Sequence, residues 1–184
     1  LTEADFKNGG EIKEIVTEED VQNKKETKGI LVIPYGVKKI GDHAFSNFTN
    51  LTELTLPDTL TEIGRGAFIS CIKLTTIRFP KPVFKIGAPI FTIGAFAFRY
   101  CLGLIDISLP DTMTKIEEYT FNMCSDLISI NLPINLNVIG NNAFQNCSKL
   151  EQLTLPDNLK NIEKFAFDRC TILNSIKFPT EMDE

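Results

Sequence analysis

Seven prolines, at positions 34, 57, 80, 110, 133, 156 and 179, are spaced 23, 23, 30, 23, 23 and 23 residues apart, and each closes the same short phrase. A fixed period of this length marks a stacked repeat, and it narrows the possible folds more than any other property of the chain. The phrase reads Leu51-x-x-Leu54-x-Leu56-Pro57, Leu74-x-x-Ile77-x-Phe79-Pro80, Leu104-x-x-Ile107-x-Leu109-Pro110, Leu127-x-x-Ile130-x-Leu132-Pro133, Leu150-x-x-Leu153-x-Leu155-Pro156 and Leu173-x-x-Ile176-x-Phe178-Pro179, with a partial earlier copy in Leu31-Val32-Ile33-Pro34.

The last two apolar residues of each phrase lie two apart with a polar residue between them, the period of a strand that buries one face. Proline then ends it, since it cannot donate to a ladder. A second apolar pair follows each proline: Val37 and Ile40, Leu60 and Ile63, Val83 and Ile86, Met113 and Ile116, Leu136 and Ile139, Leu159 and Ile162. Glycine often comes next, at 41, 64, 87 and 140, where a tight bend is cheapest. Then come Ala44-Phe45, Ala67-Phe68, Ala97-Phe98, Thr120-Phe121, Ala143-Phe144 and Ala166-Phe167, each with a small or apolar residue three after the Phe. This grouping is expected to share one side of a single helical turn.

A lone unit of this kind cannot bury its apolar side, but copies stacked in register make a continuous core. The reading is therefore a strand-rich α/β-type repeat solenoid: one parallel sheet without strand-order changes, short irregular or helical turns on the other face, and a spine of stacked rings from Phe45 to Phe167. The phrase L-x-x-[LI]-x-[LF]-P, then L-x-x-I-G, then A-F-x-x-C, repeated over about 30 to 179, closely resembles the BspA-like leucine-rich repeat family. The resemblance implies a curved right-handed array. It also implies a secreted or cell-surface setting and work by binding host proteins or other cells.

The array departs from its period at residues 81–96, where seven extra residues echo Phe84-Lys85-Ile86-Gly87 in Phe91-Thr92-Ile93-Gly94. One copy fills the repeat slot and the other bulges. The bulge, with Pro89, Ile90 and Phe91, either folds back on the solenoid or forms a ligand-contacting protrusion. Residues 1–28 lack the repeat and are read as an N-terminal cap rather than a linker, leaving 29–184 as the array of a partial first strand and six repeats. Within the cap, Ile12, Ile15 and Val16 have the spacing of a short amphipathic helix. Phe6, Ile12, Ile15 or Val16 should pack on the first repeat and cover Ile30 and Val32. At the other end Thr180 to Glu184 are too few to cover the last repeat, so an apolar edge of Phe167, Ile176 and Phe178 is expected, capable of weak end-to-end self-association.

With 184 residues, 43% of them hydrophobic and 23% charged, the chain has enough apolar material for one domain or one compact array. No apolar run approaches the roughly 20 residues that span a bilayer. A net charge of −5 argues against a phosphate-backbone partner, so nucleic acid is not expected. A first residue of Leu is expected of a processed or trimmed product, which leaves an export signal or anchor open.

Cys71, Cys101, Cys124, Cys147 and Cys170 share one column, three residues after the spine Phe, and the first repeat places Phe48 there. The slot asks for burial, so five buried free thiols are expected rather than disulfides or a metal. His43 is the one histidine, at an exposed type of position. No phosphate loop, H-E-x-x-H or G-x-S-x-G occurs, and no enzyme activity or cofactor is expected. Asn47-Phe48-Thr49, Asn50-Leu51-Thr52 and Asn146-Cys147-Ser148 are formal glycosylation sequons, most simply chance in a chain this rich in Asn, Ser and Thr.

What remains is surface. The strand face should present Thr55, Arg78, Asp106, Ser108, Asn131, Gln152 and Thr154, mostly neutral and hydrogen-bonding. Seven strands at about 4.8 Å spacing give about 460 Å², short of the roughly 800 Å² a folded partner needs from one side. The flank offers a second column, two residues before each spine Phe: His43, Gly66, Phe96, Tyr119, Asn142 and Phe165. Its aromatics are either binding positions or side-packing on neighbouring turns. The expectation is a non-catalytic, cell-surface or secreted binding module for a protein or glycoprotein, using the strand face with Phe91, Phe96, Tyr119 and Phe165. The alternative is a structural spacer that presents another domain.

Overall fold

The computed structural model describes residues 1–26, 28–79 and 89–177. Each 23-residue unit makes one turn of a solenoid, and the proline-closed phrases form parallel strands in sequence order. Gly29–Val32, Leu51–Thr55, Thr76–Arg78, Asp106–Ser108 and Ser129–Asn131 make one five-stranded ladder, while Gln152–Thr154 pairs in parallel with Ser175–Lys177. Registered pairs of repeat residues join equivalent positions, such as Leu54 with Ile77 and Ile107 with Ile130, except Gly29 with Leu51, where the register shifts by one residue. The expected order holds, but the ladder is interrupted between Ser129–Asn131 and Gln152–Thr154.

The second apolar pair proves to be a strand as well. Two-residue strands Ile15–Val16, Lys39–Ile40, Glu62–Ile63 and Thr92–Ile93 form one parallel ladder, and Lys115–Ile116, Val138–Ile139 and Asn161–Ile162 form another. The Ala-Phe turns are not helical. Two residues in each take positive φ, two before and two after the spine Phe, for example His43 (φ 55) and Asn47 (φ 62), or Tyr119 (φ 55) and Met123 (φ 65). This alternation aims backbone groups along the solenoid axis, so His43, Phe45 and Asn47 donate to the carbonyls of Arg65, Ala67 and Ile69 in the next turn, each at 2.8 Å. It also gives Asn47 and Asn146 a conformational reason for their residue type, independent of any sequon, since Asn tolerates this region well.

Between these walls lies the core. The rings of Phe45, Phe68, Phe98, Phe121, Phe144 and Phe167 stack in one file, with centroids 5.2 to 5.6 Å apart and planes within 8° of parallel. Phe48 fills the cysteine column of the first repeat, edge-on to Phe45 at 5.4 Å. The glycines after the isoleucines serve close approach rather than a left-handed bend. A Cβ on Gly64, Gly94 or Gly140 would come within 3.0 Å of the backbone of the preceding turn, and none of the three has positive φ.

The seven-residue insertion resolves in favour of its second copy. Thr92 and Ile93 pair with Glu62 and Ile63, so Phe91 to Gly94 occupy the repeat slot, while Val83, Ile86 and Gly87 lie outside the described residues. Phe91 is accordingly not part of a protrusion. It is 4% exposed, edge-on to Phe79 at 5.6 Å, and cannot contact a ligand without leaving the core. Ile90, one residue earlier, is the exposed one.

Residues 1–26 pack on the first turn, though not as a helix over 12–16. Lys7–Asn8 and Glu11–Ile12 form a hairpin around Gly9 and Gly10, both with positive φ. Ile15–Val16 extends the second ladder, and a four-residue helix follows at Glu18–Val21. The chain imitates half a repeat. Lys38 and Lys39 donate to the Glu14 carbonyl as Thr61 and Glu62 donate to that of Lys38. Val21 stands five residues after Val16, as Phe45 does after Ile40. Alternation within a two-residue strand explains why Val16 is buried while Ile15 is half-exposed. Phe6, Val16 and Val21 join the core, whereas Ile30 and Val32, each 58% exposed, are left uncovered: the segment closes the cross-section, not the strand face. At the far end Phe167 and Ile176 are half-buried, and Phe178 is outside the described residues.

Candidate functional site

Alternation along the first ladder sends Thr55, Arg78, Asp106, Ser108, Asn131, Gln152 and Thr154 outward, all but half-buried Thr55 exposed. Equivalent positions meet in register, and two rungs are linked by side chains. Asn131 Nδ2 donates to Ser108 Oγ at 2.8 Å, and the Arg78 guanidinium lies 3.3 Å from the Glu53 carboxylate. The ladder loosens between Thr76–Arg78 and Asp106–Ser108, which share one registered pair, Thr76 with Asp106. In other strand pairs the residue just after the strand donates across the gap, as Leu56 N–H does to Arg78 and Leu109 N–H to Asn131; the corresponding rung from Phe79 to Ser108 is not formed. A depression of about 410 Å³ opens at this place, lined by Arg78, Asp106, Ser108, Asp111 and Asn131 with apolar walls from Phe79 and Leu109. The structure thus gathers four of the seven strand-face candidates into one depression. Thr55, Gln152 and Thr154 lie apart from it.

The flank is a second surface. Phe96 and Tyr119 stack at 4.8 Å with planes 9° apart. Arg65 places its guanidinium 4.5 Å from the Phe96 centroid, and Arg99 lies 5.6 Å from Phe96, 5.4 Å from Tyr119 and 4.6 Å from Tyr100. Arg99 is held there by its Nε donating to Asn122 Oδ1 and its terminal nitrogen donating to the Tyr100 hydroxyl, both at 3.0 Å. That bond starts a chain across four turns: Asn122 Nδ2 donates to Gln145 Oε1 at 3.0 Å, and Gln145 Nε2 to Asp168 Oδ2 at 2.8 Å. Phe165, in the same column as Phe96 and Tyr119, remains 65% exposed. His43 lies against Gly66, where an added Cβ would meet the imidazole at 2.5 Å.

Sequence reading had no means of finding Arg65, Arg99 and Tyr100, because cation–aromatic contacts join different columns. The backbone conformation did leave a signal: Gly66 and Asn142 share a column with the aromatics, and those two residue types are the ones that adopt positive φ at least cost. Phe96, Tyr119 and Phe165 take φ of 62, 55 and 58, which costs of order 1 to 2 kcal/mol for each.

The cysteine column makes no site. Cys71, Cys101, Cys124 and Cys147 are buried, Cys170 partly so, and all five are free thiols. Each S–H donates to the carbonyl of the spine Phe one turn back, from Cys71 to Phe45 at 3.2 Å through to Cys170 to Phe144 at 3.2 Å. Burial pushes every thiol up from its ordinary 9.0, Cys71 to about 12 and Cys170 to about 11.

The repeat scaffold matches the BspA type leucine rich repeat region, in six copies over residues 22–92 and 91–184, and the chain belongs to that family. Its fold is shared with solved bacterial proteins. It is 30% identical to a leucine-rich repeat protein from Bacteroides ovatus, with a TM-score of 0.58 over 82% of this chain and 45% of that one. It is 28% identical to a leucine rich cell surface protein from Faecalibacterium prausnitzii, with a TM-score of 0.56 over 82% and 47%. It is 27% identical to the T. pallidum leucine rich repeat protein, with a TM-score of 0.53 over 82% and 58%. The chain spans about half the length of these relatives. No curated protein matches it.

Proposed function

We propose that the chain is a non-catalytic binding module of a secreted or cell-surface protein, engaging a protein or glycoprotein through its strand face and aromatic flank. The observation that carries this is the depression over Arg78, Asp106, Ser108 and Asn131. There a loosened ladder exposes backbone and side-chain hydrogen-bonding groups beside the apolar edges of Phe79 and Leu109, the mixture of apolar surface and a few placed polar groups that recognition sites use. Membership of a leucine-rich repeat family and likeness to a cell surface protein of Faecalibacterium prausnitzii support the setting. The test is to screen the immobilised chain against glycoprotein and glycan arrays, with an Arg78→Ala, Asp106→Ala, Asn131→Ala triple variant in parallel. A saturable partner lost in the variant is the expected result. No signal above background for either chain would make the segment a spacer.

A further inference from the structure

The opened rung between Thr76–Arg78 and Asp106–Ser108 leaves two backbone groups facing each other unpaired. Where the ladder is closed, the N–H just after the strand crosses to the next strand: Ile33 to the Thr55 carbonyl at 2.9 Å, Leu56 to Arg78 at 3.0 Å and Leu109 to Asn131 at 3.1 Å. Phe79 holds the same place in its repeat. Neither its N–H nor the Ser108 carbonyl has another hydrogen-bond partner among the described residues. Both residues line the depression of about 410 Å³. The ladder opens again between Leu132 and Thr154, but there only Leu132 reaches the depression.

An N–H that faces a carbonyl across a gap is bridged by a group that both accepts and donates. A hydroxyl does both through one oxygen, whereas a carboxylate cannot donate to the carbonyl and an ammonium or guanidinium cannot accept from the amide. A peptide strand carries both functions, but inserting one needs about 4.8 Å of added separation, and Thr76 still pairs with Asp106 just below the gap. The opened rung therefore fits one hydroxyl.

The rest of the lining asks for the same chemistry. Asn131 Nδ2 donates to Ser108 Oγ at 2.8 Å, which leaves Asn131 Oδ1 to accept and the Ser108 hydroxyl to donate. The exposed Asp106 carboxylate has no hydrogen bond or ion pair among the described residues, and its two oxygens can accept from two neighbouring hydroxyls. Arg78 meets Glu53 through one nitrogen at 3.3 Å and keeps further N–H groups to donate. Half-buried Phe79 and buried Leu109 give the apolar wall. Arg78 stands against Asp106 and Asp111, so the lining carries both signs and favours a neutral ligand. The volume lies in the small-ligand range of about 300 to 1,000 Å³.

We infer that the depression binds a neutral hexopyranose, the end sugar of a glycan. One hydroxyl takes the place of the missing rung, accepting from the Phe79 N–H and donating to the Ser108 carbonyl. A vicinal pair donates to Asp106, and the C–H face of the ring lies on Phe79 and Leu109. An acidic sugar would bring its carboxylate against Asp106 and Asp111. A lysine or arginine side chain would stand beside Arg78 and leave the Phe79 N–H unpaired. This deepens the reading of the strand face as a binding surface and rests on it.

The test is an NMR titration of the intact chain with the methyl glycosides of glucose, galactose, mannose and N-acetylglucosamine, beside methyl glucuronide and blocked Gly-Gly-Gly and Gly-Lys-Gly tripeptides. At least one neutral glycoside should shift the Phe79 and Ser108 amides saturably, with a Kd on the order of 1 mM for a ligand of this size. Hydrogen exchange at the Phe79 amide should slow at saturation, because the sugar hydroxyl then accepts from it. Asp106→Ala should weaken that glycoside roughly tenfold with no change in melting temperature, since Asp106 has no partner within the chain. Four results would each overturn the inference: no saturation with any neutral glycoside, glucuronide or a tripeptide binding as tightly as the best of them, unchanged exchange at Phe79 under saturation, or undiminished affinity in Asp106→Ala. A protein partner lost in the triple variant, with no glycoside binding, would remove the sugar site and leave the binding-module reading intact. Blank arrays with no glycoside binding would remove both.

Discussion

Phe121 is covered on both faces, by Phe98 at 5.6 Å and Phe144 at 5.4 Å, and has no exposed surface. Phe121→Ala is expected to cost about 3 to 5 kcal/mol in denaturant unfolding, since neighbours fixed by the repeat cannot collapse into the cavity. A loss below about 1 kcal/mol would mean that the ring is not enclosed. Gly94 is the converse case. A Cβ there would lie 2.6 Å from the Arg65 nitrogen, backbone that cannot swing aside, so Gly94→Ala should destabilise by about 1 to 3 kcal/mol in the same assay. The two residues differ in how readable they were. The ring file followed from spacing alone, whereas the glycine column was visible but its reason was not, because closeness between turns has no sequence signature distinct from a bend.

The thiol column behaves as an element, each S–H bonded to a carbonyl one turn back. Burial raises the thiols of the folded chain above 9.0, so on alkaline titration the unfolded chain gives up its thiol protons first. The thiol contribution to stability is therefore whole below pH 9 and declines as pH rises from there toward 12. Denaturant midpoints should fall between pH 8 and pH 10.5, and fall less in Cys124→Ala; equal slopes would exclude the thiols as the cause. Thiol reagents should modify the half-buried Cys170 first and the other four only on unfolding. Burial of this column was legible because Phe48 shares it, but its hydrogen bonds depend on the turn conformation, which was not. The same turn conformation concealed the flank: a single helical turn was expected where left-handed φ values set Phe96 beside Tyr119 and leave Phe165 exposed two turns further on. The strand face, fixed by period-two alternation, was readable residue by residue. Its loosened rung was not, because an unmade backbone bond leaves the period-two pattern of the strands unchanged. Ile12, Ile15 and Val16 have helical spacing by sequence, but they fall in two separate two-residue strands, Glu11–Ile12 and Ile15–Val16, whose ends happen to reproduce it.

At the scale of the whole molecule, each turn packs chiefly on the turns beside it, so stability is close to a sum of repeats and neighbouring contacts. Residues 1–26 contribute Phe6, Val16 and Val21 to the core over the first turn. Removing them should lower the melting temperature or drive aggregation, measured by calorimetry and light scattering; no change in either would make the segment an appendage. The same near-neighbour architecture governs how the chain responds to force. Pulled from its ends, it should yield as a series of discrete ruptures, each releasing one 23-residue turn, on the order of 80 Å of contour length. The turn that spans the 30-residue proline interval should release roughly 25 Å more, a length marker that identifies its rupture in a single-molecule trace. One undivided rupture of the whole array would show that the ring file and the thiol column couple distant turns into a single mechanical unit.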